Sequence, residues 1–342
     1  MKDRQRLFVR VDATPHTGLG HFMRCLALAE HWRDTGREAT FIGRYTPTLA
    51  ARLANEGIAN ARLETSHPDR RDLLATLDLV PNGALVVLDG YGFDYEYQQS
   101  LAYGRTLLVI DDTGHLPAYA GSMLLNANID AERVVYAKAP EHRLLGARYA
   151  LLRREFRTLR ETLTVRSGSV GRLLVSLGGA DAANCTLKVL AAIVHADIEI
   201  EAVRVIVGPL NPHRAALDAF TDTYGWIGLV EDPADMSEQL SWADAAIASA
   251  GSIFFELAVL GLPSVLLAVA DNQLPVGKAA ARLGAAIFAG DARELDWRSI
   301  AAVLGGTLGD ERQMRSLAAN AVKLVDGNGV ARVQDALLEC MQ

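Results

Sequence analysis

A chain of 342 residues is longer than one ordinary core organises and fits two domains. With 50% of its residues hydrophobic and 22% charged, it has a globular composition, which excludes a disordered chain. The formal net charge of -7 argues against broad nucleic-acid binding, which needs clustered Lys and Arg, but leaves room for a local anion site of backbone N–H groups.

In chain order, Leu7–Asp12 reads as a strand and Gly20–Thr35 as a helix with Phe22, Leu26, Ala29 and Trp32 apolar. Glu38–Gly43 follows as a strand, Pro47–Glu56 as a helix, and Ala84–Gly90 and Thr106–Asp112 as buried-type strands. The charged stretch Arg153–Gly171 reads as a linker. Beyond it the plan restarts: a strand at Leu173–Leu177, a helix from Asn184, and strands at Val203–Val207, Ile227–Val230, Ala245–Ser249 and Ser264–Val269. Helices at Glu311–Leu324 and Val330–Met341, broken by Gly327-Asn328-Gly329, close the chain. Strands alternating with helices predict an α/β fold: two Rossmann-like domains with parallel sheets facing a central cleft. The expected limits are 1–160 for the first domain, 170–325 for the second and 326–342 for a C-terminal helix.

Cys25, Cys185 and Cys340 are odd in number and far apart, so they form no disulfide framework, and a reducing cytoplasm is the simpler setting. Met1–Asp12 lacks the apolar core of a signal peptide. The nearly uncharged run Ser252–Ala270 is long enough to suggest a membrane span, but Glu256 and Gly261-Leu262-Pro263 divide it. A short helix followed by a short strand is expected there, with no stable membrane insertion.

The groups suited to chemistry follow predicted strands. Arg10 and Asp12 close the first strand, and Gly18-Leu19-Gly20 leads into a helix carrying His21 and Arg24. Such a turn leaves backbone N–H groups open to a ligand. A dinucleotide fingerprint would need a small residue where Met23 stands, so that reading fails. The helix dipole and Arg24 disfavour the imidazolium form of His21, which suits a general base; the position equally suits a capping histidine. No HxH, HExxH or DxD spacing occurs, so no protein-bound metal is expected. Gly178 and Gly179, with Asn184 behind them, would let a phosphate or sugar approach the main chain, or form a plain turn. Ser249, Gly251 and Ser252 precede Glu256, a carboxylate in an apolar helix that requires partners, ribose hydroxyls or a structural bond. Asn272 and Gln273 offer neutral donors and acceptors for sugar hydroxyls, or a helix cap.

Together these segments carry a resemblance. SAGSIFFELAVLGLPSVLLAVADNQ resembles the nucleotide-sugar half of the MurG-like GT-B glycosyltransferases. VRVDATPHTGLGHFMRCLALAE, with SLGGADAANCTLKVL and LLGARYALLRREF, resembles a narrower group, the UDP-2,4-diacetamido-2,4,6-trideoxy-β-L-altropyranose hydrolases of pseudaminic acid biosynthesis. The resemblance implies a GT-B fold and metal-independent, cofactor-free hydrolysis of a UDP-sugar in the making of a flagellin or surface glycan, with water replacing UDP at the anomeric carbon. It casts His21 as the base for that water, Glu256 as the ribose ligand, and Gly251 and Ser252 as diphosphate ligands. Asn272 and Gln273 would face sugar or phosphates, Arg10 and Asp12 would shape the water and sugar pocket, and Asp89 and Tyr91 would be further cleft residues. A glycosyltransferase passing the sugar to an acceptor and a non-catalytic nucleotide-sugar-binding protein are the alternatives. The partner expected is the small-molecule UDP-sugar, not nucleic acid; oligomeric state is left open.

Overall fold

The computed structural model describes residues 6–13, 19–162, 168–208, 211–233 and 235–341. The chain divides into two compact units, Met1–Arg154 with Gly327–Gln342, and Glu155–Asp326. The described residues of the first unit build a parallel sheet of seven strands: β1 (Arg6–Val11), β2 (Glu38–Gly43), β3 (Ala59–Arg62), β4 (Leu85–Asp89), β5 (Thr106–Ile110), β6 (Met123–Asn126) and β7 (His142–Leu145), in spatial order β3-β2-β1-β4-β5-β6-β7. Its helices are α1 (Gly20–Asp34), α2 (Pro47–Asn55), α3 (Arg70–Leu79) and α4 (Tyr95–Ala102).

Alternation along β1 assigns each side chain to one face. Leu7, Val9 and Val11 join a core with Phe22, Leu26, Ala29 and Trp32 of α1. Phe8 joins the opposite core with Val86, Leu88, Phe93 and Tyr97. Arg10, two residues after Phe8, shares that face and is fully buried. Helix α3 answers it with an inverted pattern: Asp72 and Thr76 are buried, while Leu74 is 55% exposed. That inversion hides α3 from a search for apolar periodicity.

The second unit contains α5 (Arg154–Glu161, whose first residue closes the other unit), then β8 (Arg172–Ser176), α6 (Cys185–His195), β9 (Ala202–Val207), α7 (Arg214–Thr221), β10 (Ile227–Glu231), α8 (Met236–Trp242), β11 (Ala245–Ser249), α9 (Ile253–Val259), β12 (Ser264–Ala268), α10 (Leu274–Arg282), β13 (Ile287–Asp291), α11 (Trp297–Thr307) and α12 (Glu311–Leu324). Its strands are parallel, in the order β10-β9-β8-β11-β12-β13.

The strands expected from apolar runs form within a residue or two of their expected ends. The stretch Arg153–Gly171 differs from the linker expected of it. Its first part is α5, which buries Phe156 and donates from Arg160 Nη1 to the Val259 carbonyl at 2.7 Å. Phe156 anchors a helix in which only Thr158 and Leu159 besides are uncharged, and the charge masked it. The last helix, α13 (Gly329–Glu339), returns to the first unit, where Val333 and Leu337 enter the core around α1. Gly329 is required there, because a Cβ would lie 2.1 Å from the Ala150 carbonyl oxygen. The apolar run Ser252–Ala270 resolves into α9 and β12 as expected. Among the described residues no helix is long and apolar enough to cross a membrane.

Candidate active site

Each sheet has one pair of neighbouring strands from which the chain winds away in opposite directions: β1 and β4 in the first unit, β8 and β11 in the second. Open parallel sheets bind ligands beyond the carboxyl ends of such strands, where adjacent loops part. Nearly all the residues singled out in the sequence stand at these two edges. Gly18 lies outside the described residues.

At the first edge, Asp12 follows β1, Asp89 ends β4, and His21 sits in the first turn of α1 behind Gly20. Leu19, at the N-cap of α1, supplies no side-chain bond and the first turn holds no acid, so among the described residues no side chain caps the leading N–H groups. His21 Nδ1 is 2.7 Å from Asp89 Oδ1. Arg24 Nη2 lies 3.0 Å from the same Nδ1 but has a nearer acceptor in Asp89 Oδ1 at 2.7 Å, so the network assigns the proton to Nδ1, bonded to the carboxylate, and leaves Nε2 as the basic nitrogen. Asp89 is buried; its Oδ2 accepts from Arg24 Nε at 2.6 Å and its Oδ1 from Arg24 Nη2 at 2.7 Å. Burial alone would raise the Asp89 carboxyl, but Arg24 and His21 outweigh it and hold it well below the usual carboxylate range. Arg24 Nη1 in turn donates to both oxygens of Asp112, at 3.0 and 2.7 Å.

Arg24 is therefore paired with two carboxylates. The expectation that its charge bears on His21 omitted Asp89, which stands directly at the ring. The Cys25 thiol donates to Asp89 Oδ2 at 3.4 Å, and burial, then the Asp89 charge, push that thiol well up. Tyr91 meets His21 edge-on, with ring centroids 4.9 Å apart, and its hydroxyl donates to Asp112 Oδ2 at 2.9 Å.

Arg10 and Asp12 form a second layer. Arg10 Nη1 donates to Asp12 Oδ1 at 2.6 Å, Nη2 bonds Asp72, and Nε donates to the Tyr97 hydroxyl at 3.2 Å. The guanidinium also lies 4.7 Å over the Phe93 ring. Asp12 Oδ1 accepts the Arg44 N–H at 2.7 Å. Arg10 is enclosed, so its contribution to the edge is to fix Asp12. Asp112, Asp72 and Tyr97 escaped sequence reasoning because each lies more than sixty positions from its arginine; only the adjacent acids Asp111-Asp112 after an apolar strand signalled anything.

At the second edge, Gly178 (φ +95°) follows β8, and Gly179 lies so close to Gly208 that a Cβ on Gly208 would be 2.3 Å from the Gly179 Cα. Asp181, which follows the glycine pair in the sequence, caps α6 by accepting the N–H groups of Cys185 and Thr186 at 2.7 and 2.9 Å. Asn184 precedes α6 in a left-handed conformation and makes no cap bond. Ser249 ends β11 buried, and Gly251 and exposed Ser252 lead into α9, whose first turn carries half-buried Glu256. The Gln273 side chain ties two of these segments together. Its Oε1 accepts the Val269 N–H at 2.9 Å, and its Nε2 would be 3.3 Å from a Cβ on Gly251. Exposed Asn272 stands beside it.

The comparisons with known proteins agree with this architecture. MurG of Acinetobacter baumannii superposes with a TM-score of 0.65 at 15% identity, covering 98% of this chain and 99% of that one. HepE of Anabaena, solved in complex with UDP-glucose, superposes with a TM-score of 0.61 at 11% identity and 98% coverage of both chains. The fold is that of the GT-B glycosyltransferases. By sequence, the chain is similar to the spore coat polysaccharide biosynthesis protein SpsG of Bacillus subtilis strain 168, 26% identical over 230 residues, which are 67% of this chain and 68% of SpsG. It is also 23% identical over 276 residues to the uncharacterized protein MJ1062 of Methanocaldococcus jannaschii, 77% of this chain but 55% of that protein. No protein-family model matches the chain.

Proposed function

We propose that the chain is an enzyme of polysaccharide biosynthesis that acts on a nucleoside-diphosphate sugar, with His21 as general base. The observation that carries this reading is the His21–Asp89 pair at the β1/β4 edge. His21 Nε2 takes the proton from an attacking oxygen, the oxygen bonds the anomeric carbon, and the bond from that carbon to the diphosphate breaks, releasing UDP. Asp89 orients the ring and stabilises the imidazolium that forms. Asp12 and Tyr91 line the same edge. To the nucleotide we assign Gly178, Gly179, Asn184, Ser249, Gly251, Ser252, Glu256, Asn272 and Gln273 at the β8/β11 edge of the second unit, where glycine turns suit a diphosphate.

Two nucleophiles fit this base. The GT-B neighbours and the polysaccharide role of SpsG support a saccharide hydroxyl, making the protein a glycosyltransferase. The N-terminal string VRVDATPHTGLGHFMRC supports water, making it a hydrolase of a UDP-2,4-diacetamido-2,4,6-trideoxyhexose in pseudaminic acid biosynthesis. Mass spectrometry of products from a panel of UDP-sugars in ¹⁸O-water, with and without saccharide acceptors, separates them. Label in free sugar without an acceptor establishes hydrolysis, and a product heavier by one sugar establishes transfer. UDP release from none of the sugars under either condition refutes the proposal.

A further inference from the structure

We propose that His115 is a positioning residue that holds Tyr91 against His21, an inference that rests on the His21 reading above. His115 lies in the loop after β5 and fits no catalytic or metal-binding spacing. Its ring nevertheless joins two loops. Nδ1 is 2.5 Å from Asp111 Oδ2, and Nε2 is 3.1 Å from the Tyr91 carbonyl oxygen. A carbonyl and a carboxylate both only accept, so the two bonds together need a proton on each ring nitrogen. The His115 and Tyr91 rings also meet edge-on, with centroids 5.6 Å apart.

The anchor at the other nitrogen is firm. Asp111 is buried, its Oδ1 accepts the Thr113 and Gly114 N–H groups at 2.8 and 2.6 Å, and its Oδ2 accepts the Tyr119 hydroxyl at 2.9 Å. Its carbonyl accepts from the Tyr136 hydroxyl at 3.0 Å, and its N–H donates to the Leu125 carbonyl at 3.0 Å. Two routes therefore run from the end of β5 to His21. Asp112, Arg24 and Asp89 fix the Nδ1 side of the His21 ring. Asp111, His115 and Tyr91 fix an aromatic neighbour of the same ring. The Tyr91 hydroxyl bond to Asp112 sets the tip of that side chain, and the His115 bond sets its main chain. Tyr91 is 36% exposed and follows Gly90 at φ +144°, so a hook on its carbonyl counters the freedom of that turn.

Two amide variants separate the bonds. The amide nitrogen of glutamine stands about where Nε2 does and can reach the Tyr91 carbonyl, whereas asparagine reaches only the Asp111 side. His115→Gln is expected to keep kcat within about 3-fold of the wild type, while His115→Asn and His115→Ala lose about 10-fold or more, with KM for the sugar nucleotide little changed. The second readout needs no substrate: the ring resonances of His21 in ¹³C-histidine-labelled protein, assigned by their loss in His21→Gln. They move in His115→Asn and His115→Ala in the direction seen in Tyr91→Ala, and stay in place in His115→Gln. Unmoved His21 resonances in all three variants, equal impairment of the glutamine and asparagine variants, or a common failure to fold would overturn the assignment. If the wild type turns over no sugar nucleotide, the functional reading fails, and the resonances still decide the positioning role.

Discussion

The two sheet edges are built from opposite materials. At β1/β4 the groups are ionic and locked together: His21, Asp89, Arg24 and Asp112 in one chain of bonds, Asp12, Arg10 and Asp72 in another. At β8/β11 most of the groups are glycines, hydroxyls and amides, the acids Asp181 and Glu256 apart, and a Cβ on Gly178 would meet open space. Fixed charges beside an imidazole suit proton transfer, while glycine turns suit close approach by an anionic ligand. On the function proposed above, the same doubly wound plan serves two tasks. Changes at the first edge should act on turnover and stability, and changes at the second on nucleotide affinity.

The strongest test of that contrast is His21→Gln. Turnover of a sugar nucleotide is expected to fall by about 10² to 10⁴-fold, while the Kd for UDP, measured by calorimetry, stays at the wild-type value. A matching loss of UDP affinity would erase the distinction. Next in size is Asp89→Ala, which leaves Arg24 largely buried with one carboxylate partner removed. Breaking such a network costs about 3 to 5 kcal/mol, read from urea unfolding. A loss under about 1 kcal/mol would show that the network relaxes freely.

On the second edge, Gly251→Val crowds the Gln273 amide, which already stands 3.3 Å from a Cβ there. UDP affinity is expected to drop about 10-fold, or about 1.4 kcal/mol, with the unfolding midpoint of the first unit unchanged.

A pH series sharpens the contrast further. Asp89 is held below its ordinary value of 3.8, so its contribution is complete above that value and is lost as the pH falls through the depressed one. Between pH 5 and pH 2 the wild type should therefore lose more stability than Asp89→Asn does. The smallest effect is expected for Tyr91→Phe, which removes one hydrogen bond to Asp112 and keeps the ring beside His21. It should cost about 0.5 to 1.5 kcal/mol and lower kcat only a few-fold.

The parts of the fold that were legible in the sequence share a physical cause. β1, β4, β5, β8, β11 and β12 are apolar because both faces of a parallel strand are covered, and such runs stand out in any reading. β3, with the sequence ANAR, is a polar edge strand and gave no such signal. β6 and β7 are four residues each, too short to show a period. α3 was hidden because Asp72 and Thr76 face inward to meet Arg10. For the site, His21 was legible from a Gly-rich turn leading into a helix. Its partner Asp89 was noticed as a strand-end carboxylate, but its bond to His21 was not.

By itself the sequence determined the strand–helix alternation, the doubling of the plan, and the loops that carry glycines and a histidine. Those are local properties, written in apolar runs and in residues tolerant of tight turns. Only the tertiary structure decided which acid faces which base. Asp89, Asp112 and His115 are brought to His21, Arg24 and Tyr91 by the parallel register of β1, β4 and β5. Pairing across a sheet depends on strand order, and strand order is set by the packing of whole layers, which no short stretch of sequence records.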